Sequence, residues 1–397
     1  MPRADWTNPA DLKYAIVHDR FAGAYTGSEK VVEGISEVFP SDIYSLVADR
    51  SILDGTKFQD VKITTSFIQK MPMGSKWYQL YLPLYPLAVE QLDVADYDVV
   101  ISSSHTVAKG ILTRPDQLHI CYCHTPMRYI WDLYFDYLRD SGLERGIRSK
   151  IVRMIFHYLR MWDMTTVPRV DFFIANSMHV ARRIKKLYNR DSSVIYPPVD
   201  VDSFSVVGKK EGFFLAASRL VQYKKMDLIV EAFSMMPQER LVVIGDGPDM
   251  QKIKRKAAAN IEIIGYQESD VLIDYMQRAK AFVFAANEDF GIIPVEAQAC
   301  GTPVIAYGRG GVTETVLDGK TGVLFDRQTP GAIVDAVSRF RQQESIMDPG
   351  IIRRNAERFS KQRFKSELKG FVENCVHEFN GQPSAQSPLG SSDHKTT

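Results

Sequence analysis

The sequence predicts an α/β protein built from two Rossmann-like domains, each a parallel sheet covered by helices. Three observations support this fold class. Short, continuous apolar runs alternate with amphipathic helical patterns along the chain, which is typical of buried parallel strands and their crossover helices. A length of 397 residues exceeds one ordinary domain. The stretch 196–212, with prolines, glycines and a charge cluster, reads as a linker between the two halves.

The apolar runs give the predicted strands in order. In the first half they are 14–18, 99–102, 119–123, 172–175 and 194–196. In the second half they are 213–217, 241–244, 261–264, 281–284, 304–306 and 323–325, with helices such as 226–235, 249–258 and 270–279 between them. We therefore expect one domain over 1–200, a second over 201–350, a final helix over 351–380 and a disordered tail over 381–397, which is rich in Gly, Pro, Ser and Gln.

The bulk composition excludes several classes of protein. A net charge of +1 predicts no nucleic-acid partner. The first residues, M-P-R-A-D-W, do not resemble a signal peptide, and no run of about 18 apolar residues predicts a membrane span. Four cysteines suggest no disulfide framework. We expect a reduced, cytoplasmic protein.

The most informative block begins with E-D-F-G-I-I-P-V-E, which places Glu288 in a loop and Glu296 inside the following helix. The turns G-T-P and G-R-G-G follow closely. Backbone N–H groups at a helix start bind phosphates, and carboxylates bind sugar hydroxyls. The alternative, two surface helix charges, does not explain the glycine-rich turns.

A second block, S-R-L-V-Q-Y-K-K-M-D, places Arg219 and Lys224 in a turn between a strand and a helix. Two fixed cations there can stabilise a departing diphosphate without a metal. Alone, the block would be a solvated charge cluster. Downstream, Gly245 and Gly247 form a strand–helix turn, but Met250 stands where a dinucleotide fingerprint needs glycine, so no NAD site is predicted.

Together these blocks resemble the signature of retaining glycosyltransferases of the GT-B architecture, which have two facing Rossmann-like domains and a C-terminal crossover helix. The nearest resemblance is to family 4, especially its bacterial α-mannosyltransferases. It implies that Glu296 binds the nucleotide ribose and that Glu288 contacts the donor sugar. The implied donor-binding residues are Gly27, Gly245, Gly247, Phe290, Gly291, Ile292, Ile293 and Glu296. Lys225 stands where glycine is commoner in the family.

The first half carries a histidine-containing strand end, C-Y-C-H-T-P-M-R-Y-I-W-D. One strand does not give tetrahedral zinc geometry, so we predict no metal site. The His-Thr-Pro-x-Arg pattern resembles the family motif beside the donor sugar, which implies that His124 contacts the sugar or transition state. Asp19, Arg128 and Asp132 are candidates for the acceptor side. For the segment after Asp19, an N-cap at Ser28 is an equally good interpretation.

Two segments suggest a membrane surface. Within 145–190, eleven Lys and Arg stand against two Asp, a local charge of +9. There, Ile147, Ile151, Ile155, Tyr158 and Trp162 share one helical face, opposite Lys150, Arg153, His157 and Arg160. The segment 75–87 groups Trp and Tyr residues around prolines. Both patterns suit an anionic headgroup interface. They equally suit an apolar face buried in the core with the cations in water.

The resemblance implies a retaining transfer of mannose from GDP-mannose to a polyprenyl-diphosphate-linked saccharide in bacterial surface polysaccharide synthesis. No cofactor is expected beyond the nucleotide-sugar. No side chain stands out as a nucleophile, which favours same-face attack assisted by the leaving phosphate over two displacements. The alternatives are a UDP-sugar donor, a sugar-nucleotide epimerase or phosphorylase, and a non-catalytic sugar- or lipid-binding scaffold.

Overall fold

A computed structural model describes residues 6, 8–23 and 25–381, and it contains two parallel sheets. The first sheet has seven strands in the order β3-β2-β1-β4-β5-β6-β7, and the second has six in the order β10-β9-β8-β11-β12-β13. The α/β fold with two parallel sheets is therefore confirmed. Most of the expected disordered tail, from 382 onward, lies outside the described residues.

The strands of the first sheet are β1 Tyr14–His18, β2 Ser41–Ser45, β3 Ile63–Thr65, β4 Val99–Ser104, β5 Leu118–Cys123, β6 Phe172–Ala175 and β7 Ser193–Val194. Those of the second are β8 Phe213–Ala217, β9 Arg240–Ile244, β10 Ile261–Gly265, β11 Ala281–Phe284, β12 Val304–Tyr307 and β13 Gly322–Phe325. Every strand predicted from the sequence has a counterpart here.

The helices of the first half are α1 Gly27–Val38, α2 Tyr85–Glu90, α3 Tyr134–Asp140, α4 Ile147–Thr165 and α5 Met178–Tyr188. Those of the second half are α6 Met226–Ser234, α7 Met250–Lys256, α8 Ser269–Arg278, α9 Ile292–Ala299, α10 Val312–Thr315, α11 Pro330–Gln343, α12 Pro349–Glu357 and α13 Lys361–Phe379.

Two strands, β2 and β3, were not predicted. Their sequences, S-D-I-Y-S and I-T-T, mix polar and apolar residues, and β3 forms one edge of the sheet. The central strand β1 is different because both of its faces are buried. Tyr14 and Ile16 pack in the core shared with α1 and α13, whereas Ala15 and Val17 pack in the core shared with α2 and α4.

The expected single C-terminal helix is in fact two helices. The chain breaks between α12 and α13 at buried Phe359, whose carbonyl accepts a hydrogen bond from Val199 N–H at 2.9 Å. Helix α12 packs on α9 in the second half. Helix α13 crosses back and buries Phe364, Leu368 and Val372 beside α1 in the first.

Helix α4 divides the predicted apolar face between the core and the surface. Its core-facing side contains Phe156, Leu159 and Trp162. Of the predicted apolar residues, Ile147, Ile151 and Tyr158 are exposed, together with Met154 and Met161.

Two of the cations expected on the opposite, polar side of α4 also lie elsewhere. Arg153 and Arg160 are half-buried over the Tyr134 ring, at 5.7 and 4.9 Å from its centroid. The exposed apolar residues of α4 therefore face outward while Arg153 and Arg160 pack inward. Within the described residues, no helix combines the length and apolarity needed to cross a bilayer.

Candidate functional site

The predicted donor residues of the second half lie at one edge of its sheet. They follow the carboxyl ends of β8, β9 and β11, which neighbour one another in the sheet. Parallel strands in such folds bind ligands at this edge. The loops after these strands therefore meet although they are far apart in the sequence.

Lys224 and Glu288 form an ion pair between Nζ and Oε1. Both side chains are mostly buried, with exposed fractions of 18% and 19%. Burial lowers the pKa of Lys224 to about 8. The two blocks singled out in the sequence thus meet at one point.

The turn that carries Lys224 also carries Arg219 and Lys225. Arg219 is exposed, and its guanidinium has no hydrogen-bond or ion-pair partner among the described residues. Lys225 adopts φ +55°, the left-handed region that favours glycine. This explains why glycine is commoner there in the family that the sequence resembles.

Gly245 and Gly247 bring two turns into backbone contact. A Cβ on Gly245 would lie 1.9 Å from the carbonyl oxygen of Ser218, and one on Gly247 would lie 2.4 Å from that of Leu220. Leu220 N–H donates to the Asp246 carbonyl at 2.8 Å. These glycines therefore fix the turn that carries Arg219.

Helix α9 begins after Gly291, which has φ +84°. Ile292 and Ile293 in its first turn are half-buried. The Phe290 ring is buried against Tyr196 and Phe359 at centroid distances of 5.7 and 5.4 Å. The ring therefore anchors the start of α9 in the core, and the expected donor contact of Phe290 falls to its backbone.

Glu296 pairs with Lys30 of α1, with 3.2 Å between Oε1 and Nζ. Both residues line a cavity of about 300 Å³. Its apolar side is formed by Phe204, Leu272, Ile273 and Met276, and its polar side includes Asp270 at the start of α8. Most binding pockets for small ligands share this combination of an apolar surface and a few polar groups.

Gly27 begins α1 and approaches the second half closely, since a Cβ there would lie 2.4 Å from Cδ1 of Ile292. The residue that caps α1 is Thr26, which forms a capping box with Glu29. The interpretation of Ser28 as the N-cap is therefore wrong by two positions.

His124 follows β5, and its Nε2 lies 2.8 Å from the hydroxyl of Ser103. Burial, with His105 and His18 nearby, lowers its pKa to about 3. The imidazole is therefore neutral at physiological pH, and a neutral imidazole can donate or accept a hydrogen bond.

Asp19 is not available as an acceptor ligand. It is buried, and its oxygens accept hydrogen bonds from the N–H groups of residues 105–108 and from the His105 ring. Burial alone would raise the pKa of Asp19, but His105 and these hydrogen bonds hold it well below its usual range. Asp19 therefore fixes the loop after β4. His105, which sequence analysis missed, presents its Nε2 to Arg20 at 2.7 Å.

Arg128 and Asp132, the candidates for the acceptor side, take part in ion pairs in the structure. Arg128 pairs with Asp132 at 3.3 Å and donates to the Asn287 carbonyl at 3.3 Å. Arg183 of α5 binds Asp132 at 3.3 Å and Asp289 at 2.6 Å. These residues join the two halves, and sequence analysis missed Arg183 and Asp289 because their partners are far apart in the chain.

Among residues 6, 8–23 and 25–381, no group of three or more His, Cys, Asp or Glu side chains could hold a metal ion. Cys121 and Cys123 are buried and free. A larger cavity, of about 1120 Å³, lies at the amino ends of β1 and β2 and contains none of the predicted site residues.

Comparison with known families places a recognised domain in each half. Residues 48–203 match the model for Glycosyltransferase Family 4, and residues 202–362 match that for Glycosyl transferases group 1. Among curated relatives, a D-inositol 3-phosphate glycosyltransferase from Xylanimonas cellulosilytica is 30% identical over 43% of this chain and 48% of its own. A protein of the same name from Geodermatophilus obscurus is 29% identical over 51% of this chain and 52% of its own. The chain thus spans about half the length of the curated relatives it matches.

Solved structures show the same fold over almost the whole chain. Sucrose-phosphate synthase from Thermosynechococcus elongatus superposes with a TM-score of 0.71 at 15% identity, covering 91% of this chain and 98% of its own. Anabaena HepE in complex with UDP and glucose gives 0.67 at 15% identity, covering 91% and 99%. The architecture is therefore GT-B.

Proposed function

We propose that this chain, which carries a Glycosyltransferase Family 4 domain and a group 1 domain, is a retaining glycosyltransferase. The observation that carries the proposal is the ion pair between Lys224 and Glu288. It brings a phosphate-binding cation and a sugar-binding carboxylate together at the carboxyl edge of the second sheet, where a nucleotide-sugar can contact both. The exposed Arg219 supplies a second cation without a competing partner.

In the proposed reaction the C-terminal half binds the donor and the N-terminal half binds the acceptor. Arg219, Lys224 and the first N–H groups of α9 stabilise the charge on the departing diphosphate, so no metal is needed. The leaving phosphate accepts the proton of the acceptor hydroxyl as that hydroxyl attacks the same face of the sugar. The half-buried His124, whose imidazole is neutral, hydrogen-bonds the sugar.

We propose GDP-mannose as the donor, and the cavity beside Glu296 supports the choice of base. Ribose hydroxyls replace Lys30 on Glu296, and the base lies on the apolar surface formed by α8. The Asp270 carboxylate at the edge of this cavity matches guanine, which presents two adjacent N–H donors. Uracil presents only one N–H group for such a hydrogen bond. The structural relative HepE is described in complex with UDP, so a UDP-sugar is the competing donor substrate.

The proposed acceptor is a polyprenyl-diphosphate-linked saccharide in bacterial surface polysaccharide synthesis, reached from the anionic cytoplasmic face of the membrane. Support comes from exposed apolar residues of the first half: Ile147, Ile151, Met154, Tyr158 and Met161 on α4, with Trp77 and Leu80 in the segment 75–87. Exposed Arg148 and Lys150 stand beside the α4 residues. Apolar side chains with flanking cations suit an anionic bilayer surface.

The test is release of nucleoside diphosphate from GDP-, UDP- and ADP-sugars in EDTA, with a lipid-diphosphate saccharide, inositol 3-phosphate or no acceptor. Release from GDP-mannose that the lipid acceptor stimulates, and that Arg219→Ala and Glu288→Ala abolish, is the expected result. Release from a UDP-sugar would replace the donor and keep the reaction class. No release from any donor, with nucleotide still bound, would favour a non-catalytic scaffold.

A further inference from the structure

Side chains of the N-terminal half form hydrogen bonds with the segment 287–289, which contains Glu288 and belongs to the C-terminal half. Arg183 Nη1 donates to Asp289 Oδ1 at 2.6 Å, and Ser177 Oγ donates to the Asp289 carbonyl at 2.6 Å. Arg128 donates to the Asn287 carbonyl at 3.3 Å. Asn287 and Asp289, the two neighbours of Glu288, are thus both bound by residues of the N-terminal half.

A second contact reinforces the first. Glu314 of α10 accepts hydrogen bonds from the N–H groups of Met178 and His179, at 2.8 and 2.9 Å. These are the first residues of α5, the helix that carries Arg183. A carboxylate at a helix N-terminus is favoured by the helix dipole and by the unpaired N–H groups. The carboxylate here comes from the opposite half.

The ion pairs of this contact combine two positive and two negative charges, and they are mostly buried. Arg128 and Arg183 face Asp132 and Asp289, and the exposed fractions of Arg183 and Asp289 are only 11% and 18%. Removing one partner would leave a poorly solvated charge, which costs far more than breaking an exposed pair. Arg183 also donates to Thr125 Oγ1 at 2.6 Å, beside His124.

We propose that Arg183 and Asp289 form an interdomain clasp that positions Glu288 for the donor sugar when the two halves close. The inference rests on the proposed function. Arg183 and Asp289 are positioning residues, because their side-chain contact holds the residue that directly follows Glu288. Glu288 itself contacts only its own half, Lys224 through its carboxylate and the Gly311 N–H through its carbonyl. The other half therefore positions Glu288 only through its neighbours Asn287 and Asp289.

The test compares Arg183→Gln, Asp289→Asn and the double variant with the wild type. Misplacing Glu288 should lower kcat of transfer by about 100-fold. The Kd for nucleoside diphosphate should stay within about twofold, because the proposed contacts to ribose and diphosphate lie outside the clasp. The loss in the double variant should be clearly smaller than the product of the two single losses, since the two residues share one direct contact. Arg183→Lys should recover part of kcat, and Arg182→Gln, at an exposed neighbour, is the matched control.

A second readout is independent of catalysis. Spin labels on Lys186→Cys and Tyr266→Cys, both exposed and in different halves, report the distance between the halves. The four native cysteines are buried, which favours labelling at the introduced ones. The clasp variants should lengthen or broaden this distance relative to Arg182→Gln.

Three results would overturn the clasp. The first is an unchanged spin-label distance and an unchanged kcat in the clasp variants, and the second is additive effects of Arg183→Gln and Asp289→Asn on kcat. The third is a loss of nucleotide affinity as large as the loss of kcat. Absence of transfer by the wild type with every donor would refute the proposed function instead. The distance measurement would still decide the clasp in that case.

Discussion

Lys224 and Glu288 stand 64 positions apart in the sequence and form a direct ion pair in the folded chain. One follows β8 and the other follows β11, and these strands are neighbours in the sheet. Because the pair is mostly buried, each charge depends on the other until a ligand arrives. A diphosphate would compete with Glu288 for the ammonium group, which frees the carboxylate for sugar hydroxyls.

Binding of nucleoside diphosphate should weaken above pH 8. Burial lowers the pKa of Lys224 to about 8 in the free protein, and the bound diphosphate favours the protonated form. Affinity should therefore change little between pH 7 and 8, where the terminal phosphate is largely ionised, and fall by up to about tenfold per unit above pH 8. Titration calorimetry from pH 6.5 to 9.5 measures this, and proton uptake should appear above pH 8. Lys224→Met should remove the dependence; its persistence in that variant would assign it to another group.

Lys225→Gly should stabilise the protein. A left-handed lysine carries strain of about 1–2 kcal/mol, and the added freedom of glycine in the unfolded chain offsets part of the gain. We expect an increase of about 0.5–1 kcal/mol in the free energy of unfolding, measured by denaturant titration. Gly319, which also has positive φ and open space around it, provides the matched control, because Gly319→Lys should destabilise. A stability loss in Lys225→Gly would show that its side chain contributes more than the strain removes.

Asp270 should select guanine. Wild type should bind GDP more tightly than inosine diphosphate, which lacks the exocyclic amino group, by about 1–3 kcal/mol. Asp270→Asn should lose most of that difference, because an amide cannot accept both N–H bonds. Fluorescence titration of GDP, inosine diphosphate and UDP gives the comparison. Tighter binding of UDP than GDP by the wild type would contradict the guanine assignment and leave the fold intact.

The exposed stripe on α4 should bind anionic vesicles. Replacing Ile151 and Met154 by serine should lower the vesicle partition coefficient by about 30-fold, since each apolar side chain contributes on the order of 1 kcal/mol on transfer from water. Stability should change little, because both residues are exposed. Co-sedimentation with phosphatidylglycerol vesicles measures the effect. Serine at Met235 and Ile346, exposed in the other half, is the control, and equal losses in both pairs would argue against a specific surface.

The sequence predicted the fold well because buried parallel strands leave continuous apolar runs such as 213–217. It missed β2 because only two of its five residues are buried and its polar and apolar residues are mixed. It also predicted the meeting of two motifs at one edge, since parallel strands align their carboxyl ends. Contacts between the halves, such as Arg183 with Asp289, leave no local pattern because either residue alone resembles a surface charge.

Asp19 shows that a sequence does not reveal whether a polar side chain is already fully hydrogen-bonded within the protein. An aspartate after a strand at the ligand-binding edge has the chemistry of an acceptor ligand, and only the structure shows its oxygens filled by four backbone N–H groups and His105. Helix α4 shows the same limit for packing. Periodicity identified an apolar face but could not show which side of the helix meets the core.

The measurement that tests the central claim most directly is NMR analysis of the product from GDP-[¹³C]mannose and a lipid-diphosphate saccharide, for the wild type, Lys224→Met and Lys225→Gly. The account predicts an α-linked mannosyl product from the wild type and Lys225→Gly, with little or none from Lys224→Met. A β-linked product, or wild-type transfer by Lys224→Met, would contradict it.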